Sequence, residues 1–280
     1  MIKCPIYRFI RLPDLCKKFL DTPEVQRLRN IKQLGFVHYV YPSAVHTRLE
    51  HSLGVMHLAG EAANVLIDKG FHITQREKEL LQLAGLLHDV GHIAFSHLFD
   101  DLLIEQGYPC HEQRSVELLK RINDRLSLLT SVEVKMVEAM ITGNPGKWKR
   151  PFLFQIVANH IGDGIDVDRM DYLQRDAYHT GMPGFQPDYL INCMTVTYGY
   201  LSFLEKAKSD IQLVCTTRKR MFECVYRHKT VKHVEEKVKA IIKDLKILTQ
   251  YSWEDIDDPR VICDMRTHPL YRTIEERDWK

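Results

Sequence analysis

Hydrophobic residues recur at helical spacing along most of the chain. Apolar positions every three or four residues predict helices at about 23–32, 47–69, 75–89, 111–124, 131–142, 165–178 and 217–246. Strand-like runs are few and short, and the best are 36–41, 194–198 and 211–215. The pattern therefore predicts a mainly α fold with a few short strands.

Two turns rich in glycine and proline interrupt this pattern. Gly143-Asn144-Pro145-Gly146 separates two helical blocks, and Gly181-Met182-Pro183-Gly184 ends a helix. Neither has the composition of a flexible linker, and the sequence contains no internal repeat. We therefore expect one domain over residues 1–280, with a catalytic helical core at about 14–190 and a smaller C-terminal lobe at about 191–280.

The composition indicates where in the cell the protein is expected, but it does not indicate what the protein binds. The seven cysteines include no Cys-x-x-Cys pair, the N-terminus lacks a signal-peptide pattern, and no stretch reaches transmembrane length. We therefore expect an intracellular protein, of the cytoplasm or nucleus, with free thiols and no membrane contact. The net charge of +2 gives no argument for nucleic-acid binding. The basic stretch 229–246 alternates with apolar residues, which is more typical of a solvated helix face than of a nucleic-acid surface.

The histidines are unevenly distributed. Four of the fourteen, His88, His92, His97 and His111, lie within one short stretch. The first of these follows a run of buried-type residues and precedes Asp89, so two candidate metal ligands end a packed helix. Imidazole and carboxylate suit a divalent ion such as Mg, Mn, Fe or Zn. A usable site needs further ligands, which His51 and Asp168 can supply.

Helical spacing groups other polar side chains. Asp168, Tyr172 and Asp176 fall at i, i+4 and i+8 and line one helix face. Arg48 lies one turn from His51, which suits a phosphate that bridges an arginine and a metal ion. Taken singly, such residues are more often core histidines, surface salt-bridge partners or a solvated acidic face. Their joint occurrence favours a site.

The arrangement His51, His88-Asp89 and Asp168 matches the H…HD…D signature of the HD-domain phosphohydrolases. Five further segments resemble the dNTP triphosphohydrolases that couple a sterile-alpha-motif domain to an HD domain. These segments are Asp21–Gly35, His46–Val55, Phe95-Ser96-His97, His111-Glu112-Gln113 and Gly164–Asp168. The similarity runs from about residue 5 to 245. The sterile-alpha-motif domain and most of the C-terminal region of that family have no counterpart in this sequence.

The resemblance implies an HD-domain helical fold and metal-dependent cleavage of dNTP to deoxynucleoside and inorganic triphosphate. The implied metal ligands are His51, His88, Asp89 and Asp168. His92 and His111 would line the scissile phosphorus. His97, oriented by Asp100, would protonate the departing 5′-oxygen, a role suited to a near-neutral pKa.

The resemblance also assigns the phosphate contacts. Arg48 would hold the region of the α-phosphate. Arg169, which stands where the vertebrate enzyme has lysine, would grip the distal phosphates together with Tyr172 and Arg218. The positive charge is kept at Arg169, but the planar fork of a guanidinium differs from an ammonium group.

Four residues are implied at the sugar. Gln33 and Asp176 would bind the 3′-hydroxyl. Leu34 and Tyr226 would crowd the 2′ position and so exclude ribonucleotides.

Two departures bear on the base. Phe222 stands where the family has histidine, and Arg227 where it has glutamine, so the dNTP preference is left open.

The resemblance further implies an activator site and assembly. A GTP or dNTP activator would contact Asp21, Gln26 and Arg29, and nucleotide binding would favour a homo-oligomer, either a dimer or a tetramer. Lys3 and Cys4 replace the Asn-Asp pair that precedes these residues in the family, which weakens this implication.

Two other functions remain open on the sequence. One is an HD phosphatase or phosphodiesterase acting on another nucleotide, against which Arg169, Tyr172 and Arg218 argue because a monophosphate has no distal phosphates. The other is a non-catalytic HD protein that binds nucleotides or nucleic acid, against which the intact metal set argues.

Overall fold

The computed structural model describes residues 1–162 and 164–278 and is mainly helical. Its α-helices are α1 Asp14–Leu20, α2 Pro23–Gln26, α3 Arg48–Asp68, α4 Gln75–Leu87, α5 His97–Glu105, α6 His111–Leu126, α7 Ser131–Ile141, α8 Pro151–Phe154, α9 Val167–Thr180, α10 Pro187–Asn192, α11 Lys208–Met221, α12 Lys229–Asp244, α13 Ile247–Gln250, α14 Asp258–Met265 and α15 Pro269–Glu275. The strands β1 Ile2–Cys4 and β2 Arg8–Ile10 form one antiparallel pair, and β3 Met194–Thr197 and β4 Tyr200–Phe203 form another. Among the described residues, none of the helices is both long enough and apolar enough to cross a bilayer.

Helix α3 lies at the centre of the main core and packs against α4 and α9. It is buried on nearly all sides, because small residues such as Ala59, Ala62 and Ala63 allow neighbouring helices to approach closely. Its first turn is stabilised by the Glu50 carboxylate, which accepts a hydrogen bond from the backbone N–H of Thr47 at 2.7 Å. The residues at this end of α3 are therefore presented from a rigid element.

A second core joins the C-terminal helices to α5. Val238 and Ile241 of α12 and Val261 of α14 pack in one cluster with Phe99 and Leu102 of α5. These helices thus cover the outer side of the segment that carries His97. The single domain with a lobe boundary near residue 190 stays a prediction.

Five predicted helices are confirmed within a few residues, namely α3, α4, α6, α7 and α9, and the strand at 194–198 is confirmed as β3. The two turns also fall where predicted, with Gly181 in the left-handed conformation directly after α9. The predicted helix at 23–32 gives way to a 3₁₀ turn at Arg27–Asn30, after which Lys32 pairs with Thr47 in an isolated bridge.

Two predicted strands are wrong. Residues 36–41 fall largely within a 3₁₀ helix, Gly35–Tyr39, in which the Phe36 ring packs against the ring of Phe95 with centroids 4.3 Å apart. Residues 211–215 lie inside α11, where Val214, Thr217 and Met221 are buried at helical spacing. In both segments aromatic and β-branched residues serve side-chain packing, so their strand propensity is overridden.

The long helix predicted at 217–246 is divided. A π-helical turn, Phe222–Tyr226, ends α11, and His228 then caps α12 through its Nδ1, which accepts from the backbone N–H of Thr230 at 3.3 Å. A π-helical turn often accompanies a functional site, because it redirects side chains within a helix.

At Gly91 the turn after α4 lies directly against the backbone of α6. A Cβ there would lie against the backbone carbonyl of His111 and 2.6 Å from the backbone N of Ser115. We expect Gly91→Ala to lower the free energy of unfolding by about 3 kcal/mol, because neither backbone segment can move aside easily. Urea denaturation would measure this.

Gly60→Ala is a matched control. Its added methyl group meets only the side chain of Gln82, which can rotate away. Equal destabilisation of the two variants would contradict the expectation for Gly91.

Candidate active site

A cavity of about 550 Å³ opens between α3, α9, α11 and the turn before α5. This is within the usual size range of small-molecule sites. Its walls include most of the residues that the sequence singled out: Gln33, Leu34, Arg48, His51, Asp89, His92, His97, His111, Asp168, Arg169, Tyr172, Asp176, Arg218 and Tyr226. His88 lies directly beside this wall in contact with His51, and Asp100 lies behind it in contact with His111.

Four side chains converge at the floor of the cavity. The Nε2 atoms of His51 and His88 are 3.2 Å apart, and each lies close to Oδ1 of Asp168, at 3.0 and 3.4 Å respectively. Asp89 approaches the same point, with its oxygens 3.6 Å from Nε2 of His51 and 3.5 Å from Nε2 of His88. Helices α3, α4 and α9 thus bring the four predicted metal ligands together.

The hydrogen bonds of the two rings determine what this cluster can hold. Nδ1 of His51 lies 2.8 Å from a carboxylate oxygen of Asp171, and Nδ1 of His88 lies 2.9 Å from the carbonyl of Gly85. Both partners are acceptors, so each Nδ1 carries a proton, and Nε2 of each ring, which faces Asp168, is the nitrogen that would give up its proton to bind a metal. Ligand atoms about 2.1 Å from a shared ion lie about 3.0 to 3.4 Å apart, so the donor set fits a divalent metal.

In the absence of a cation, the neighbouring carboxylates favour the protonated form of both rings. Burial by itself favours neutral imidazole, but Asp168 and Asp171 outweigh it and raise the pKa of His51 to about 10. Burial likewise opposes the charge on His88, and Asp89 and Asp168 outweigh it and raise the pKa of that ring. The floor of the cavity therefore has a negative potential that a cation would offset.

A fully buried ion pair supports His51 from behind. Asp171 accepts two hydrogen bonds from Arg175, both at 2.8 Å, in addition to the one from His51. Burial opposes ionisation of Asp171, but Arg175 and His51 outweigh it and hold the pKa of this carboxyl well below its usual range. The ring of His51 is thereby fixed in orientation.

Arg48 connects the floor to the turn before α5. Its guanidinium pairs with Asp89 and donates from Nε to Oγ of Ser96 at 2.7 Å. Burial raises the pKa of Asp89, but Arg48 and the nearby histidines outweigh it, so the pKa lies well below the usual value. The guanidinium has further N–H groups that can donate to a phosphate in the cavity.

Three histidines form the neighbouring wall. The rings of His92 and His111 stack with centroids 4.0 Å apart, and His97 meets His92 edge-on at 5.5 Å. Desolvation by the wall, followed by the positive charges of Arg48 and His111, lowers the pKa of His97 to about 4, although its ring is open to the cavity. This value lies below the near-neutral pKa that the sequence suggested.

The expected partner of His97 is also corrected. Asp100 accepts a hydrogen bond from Nδ1 of His111 at 2.7 Å and forms a buried ion pair with Arg114. Because His97 and Asp100 lie three residues apart on α5, their side chains share a face, but the carboxylate is drawn toward α6 by two donors. Asp100 is therefore paired with His111 and not with His97.

The turn that precedes His97 is strained. Phe95 and Ser96 have φ values of 53° and 54°, a conformation that is unfavourable for a bulky side chain such as Phe. Asp258 holds this turn in place, since its carboxylate accepts from the backbone N–H groups of Phe95 and Lys32 at 2.9 and 3.0 Å. Burial raises the pKa of Asp258 to about 6.

The N-terminus of α9 carries the residues predicted at the distal phosphates. Asp166 caps the helix by accepting from the backbone N–H of Arg169 at 2.8 Å. The Arg169 side chain donates to the carbonyl of Asn159 at 2.9 Å and lies 3.2 Å from the Asp166 carboxylate. Burial, followed by the charge of Asp168, raises the pKa of Tyr172, so its hydroxyl remains a donor.

Residues from α9 and the π-helical turn meet at the end predicted to bind the sugar. The two oxygens of Asp176 contact Nε2 of His46 and the hydroxyl of Tyr226, both at 2.7 Å. Burial, followed by Asp176, holds the pKa of Tyr226 well above its usual value. Two guanidinium groups lie near the ring of Phe222, with Cζ of Arg218 5.3 Å and Cζ of Arg227 5.5 Å from the ring centroid.

The predicted activator residues lie outside the cavity wall. Arg29 donates to the side chain of Gln26 at 2.8 Å, and Gln26 donates to the carbonyl of Leu20, directly before Asp21, at 2.7 Å. The three residues are thus neighbours, at the junction of α1 and α2.

Sequence reasoning missed several supporting residues. Arg175 stands four residues after Asp171, a spacing that could have revealed the counter-charge for the acidic face of α9. His46, Arg114 and Asp258 carried no such local signal, because their partners are far away in the chain.

Comparisons with known proteins agree with this geometry. A family model described as HD domain matches residues 48–176. In the solved structures, a phosphohydrolase from Bacteroides thetaiotaomicron superimposes with a TM-score of 0.87 at 28% sequence identity, covering 99% of this chain and 77% of that one.

Curated relatives include a deoxynucleoside triphosphate triphosphohydrolase SAMHD1 homolog from Dictyostelium discoideum, 33% identical over 96% of this chain and 54% of the relative. A putative HD domain-containing protein of Acanthamoeba polyphaga mimivirus is 34% identical over 97% of this chain and 63% of the relative. Human SAMHD1 is 37% identical over 65% of this chain and 33% of its own length. The chain therefore spans only part of the length of these relatives.

The buried Arg175–Asp171 pair supports both folding and His51. We expect Asp171→Asn to lower the free energy of unfolding by about 3 kcal/mol, because Arg175 would keep an unpaired buried charge. Metal affinity should fall about 10- to 100-fold, because the charged acceptor of His51 is replaced by a neutral amide that holds the ring less firmly. Urea denaturation and metal titration would measure the two effects.

Glu276→Gln provides the control, since it breaks an exposed arginine pair of the same i, i+4 spacing. We expect little change in either measurement. Unaltered metal affinity in Asp171→Asn would show that His51 does not depend on this carboxylate.

Proposed function

The chain belongs to the HD-domain proteins and is related to the SAMHD1 dNTP triphosphohydrolases, and from this premise we propose that it hydrolyses dNTP to deoxynucleoside and inorganic triphosphate. The coarser statement, that it is an HD-domain phosphohydrolase, follows from the family and from the metal-suited histidine and aspartate cluster. The triphosphohydrolase activity is the finer proposal.

One observation carries this proposal: a cluster that suits a cation lies in the same cavity as several guanidinium groups. Arg48, Arg169 and Arg218 all line the cavity. Within residues 1–162 and 164–278, Arg218 has no carboxylate partner, so its charge is available to a ligand. Three guanidinium groups around one cavity, one of them without a carboxylate partner among the described residues, suit a polyanionic tail better than a single phosphate.

The proposed metal ligands are His51, His88, Asp89 and Asp168. A divalent ion bound there would polarise an α-phosphate oxygen and lower the pKa of the attacking water. His51 and His88 would take part as neutral rings, because Asp171 and the carbonyl of Gly85 keep their protons on Nδ1.

The remaining residues would position the triphosphate and neutralise its charge. Arg48 would donate to the α-phosphate while Asp89 and Ser96 hold it still, so little reorganisation is needed during the reaction. Arg169, Tyr172 and Arg218 would donate to the distal phosphates.

His97 would supply the proton to the departing 5′-oxygen. In the free protein its low pKa keeps the ring neutral. A bound polyphosphate places negative charge beside it, which favours the protonated form, so substrate binding itself would prepare the acid. His92 and His111, with Asp100 behind them, would line the path of attack.

Other features remain part of the proposal. Leu34 and Tyr226 would crowd the 2′ position, and Gln33 and Asp176 would receive the 3′-hydroxyl. A GTP or dNTP activator would bind near Asp21, Gln26 and Arg29, and assembly would be homo-oligomeric.

The product distinguishes this proposal from other nucleotide hydrolases. Incubation of each dNTP with the protein and Mn or Mg, with and without GTP, should release deoxynucleoside and intact triphosphate, detected by chromatography. Orthophosphate or pyrophosphate as the product would instead indicate an HD phosphatase or phosphodiesterase.

Turnover should depend on the metal ligands. Removal of metal with a chelator should abolish hydrolysis, and added Mn should restore it. Asp168→Ala should abolish turnover even with Mn present, whereas Asp124→Ala, on an exposed part of α6, should leave it intact. Undiminished hydrolysis in Asp168→Ala would contradict the proposed site and favour a non-catalytic binding role.

A further inference from the structure

A buried histidine outside the cavity wall connects two residues of the proposed sugar subsite. His46 lies in the loop before α3 and exposes only 2% of its surface. Its ring contacts Asp176, and its backbone carbonyl accepts from the backbone N–H of Gln33 at 3.0 Å. We propose that His46 is the positioning residue of this subsite, which holds Asp176 and Gln33 so that both meet the 3′-hydroxyl of the substrate. This inference rests on the proposed function.

The state of Asp176 supports this role. His46 donates from Nε2 to one carboxylate oxygen, and Tyr226 donates to the other, so both oxygens are held in a fixed direction. A carboxylate has about four lone-pair sites, and two remain free to accept a hydroxyl. Without His46, the carboxylate would keep one anchor only and could rotate about it.

Gln33 contributes the complementary amide group. Its side-chain Oε1 is buried and has no hydrogen-bond partner among the described residues, although Gln33 lines the cavity. The side chain of Gln33 therefore has hydrogen-bonding capacity left for a ligand: a hydroxyl that donates its one proton to Asp176 would accept from the amide N–H₂ of Gln33. The carbonyl of His46 fixes the backbone from which this side chain extends.

The surroundings of His46 provide its ring with a single hydrogen-bond partner among the described residues. Its face stacks on the ring of His179, with centroids 4.3 Å apart and planes tilted by 14°. Its Nδ1 is buried and has no partner in the part of the chain that the structure describes. Asp176 is thus the one polar contact of the ring within those residues, and the stacking keeps Nε2 directed toward it.

His46 does not line the cavity, so it would act through Asp176 and Gln33 and not on the reacting atoms. This predicts an effect that depends on the 3′-hydroxyl. A residue needed only for folding would affect all substrates alike, whereas a positioning residue would matter only for substrates that carry this hydroxyl.

The test compares the dNTP that the wild type hydrolyses best with its 2′,3′-dideoxy counterpart. The variants are His46→Leu, which removes the donor, His46→Gln, which keeps an amide donor near Nε2, and the control His160→Gln at an exposed position. For His46→Leu we expect kcat/KM to fall about tenfold with dNTP and less than about twofold with the dideoxy substrate. His46→Gln should recover most of the loss, and His160→Gln should match the wild type.

Equal loss on both substrates would overturn the inference and assign His46 a structural role. If the wild type hydrolyses no dNTP, the proposed function fails, and the inference is then decided by calorimetric binding of the same nucleotides in the presence of Mn. A preference of the wild type for dNTP over dideoxy-NTP that His46→Leu removes would support it. Absence of such a preference in the wild type would overturn it.

Discussion

The structure depends on how three helices compensate buried negative charge. Asp171 is fully buried on α9, and Asp168, one turn before it, is half-buried and also faces α3. An isolated carboxylate in either place would be unfavourable. Arg175 neutralises Asp171, while His51 contacts both acids. Gly54 makes this contact sterically feasible, because a Cβ at that position of α3 would overlap the Asp171 carboxylate. Protein groups do not offset all of this negative potential. The remainder lies at the cavity floor, where a divalent ion fits.

Strain in the opposite wall is balanced by the C-terminal helices. The left-handed residues Phe95 and Ser96 aim His97 into the cavity, and such backbone conformations persist only where surrounding contacts enforce them. Asp258, at the start of α14, supplies one of these contacts by accepting from Phe95 and ties the turn to Lys32 through its other oxygen, and Arg48 holds Ser96 from the cavity side. The segment after residue 229 therefore helps to shape the site, although none of its residues is a proposed metal ligand.

Much of the helical framework was predictable, because apolar spacing directly records which face of a helix is buried. The failures share one cause. At residues 36–41 and 211–215 the aromatic and β-branched side chains pack in a 3₁₀ helix and an α-helix, and local propensity carries no information about the partners available. Residues 97–105 were not predicted as a helix, since α5 is buried by α12 and α14, which lie far along the chain.

The sequence alone identified the candidate ligands and the chemistry they can perform. Imidazole, carboxylate and guanidinium groups prefer the same kinds of binding partner at any position in a fold. Spacing within one helix was equally accessible, as with Asp168, Tyr172 and Asp176. Partnerships between elements were not, and Asp100 is the clearest case: its place on α5 suggested His97, yet His111 and Arg114 of α6 take its two oxygens. Which acceptor meets which donor depends on distances across the core, and these exist only once the helices have packed.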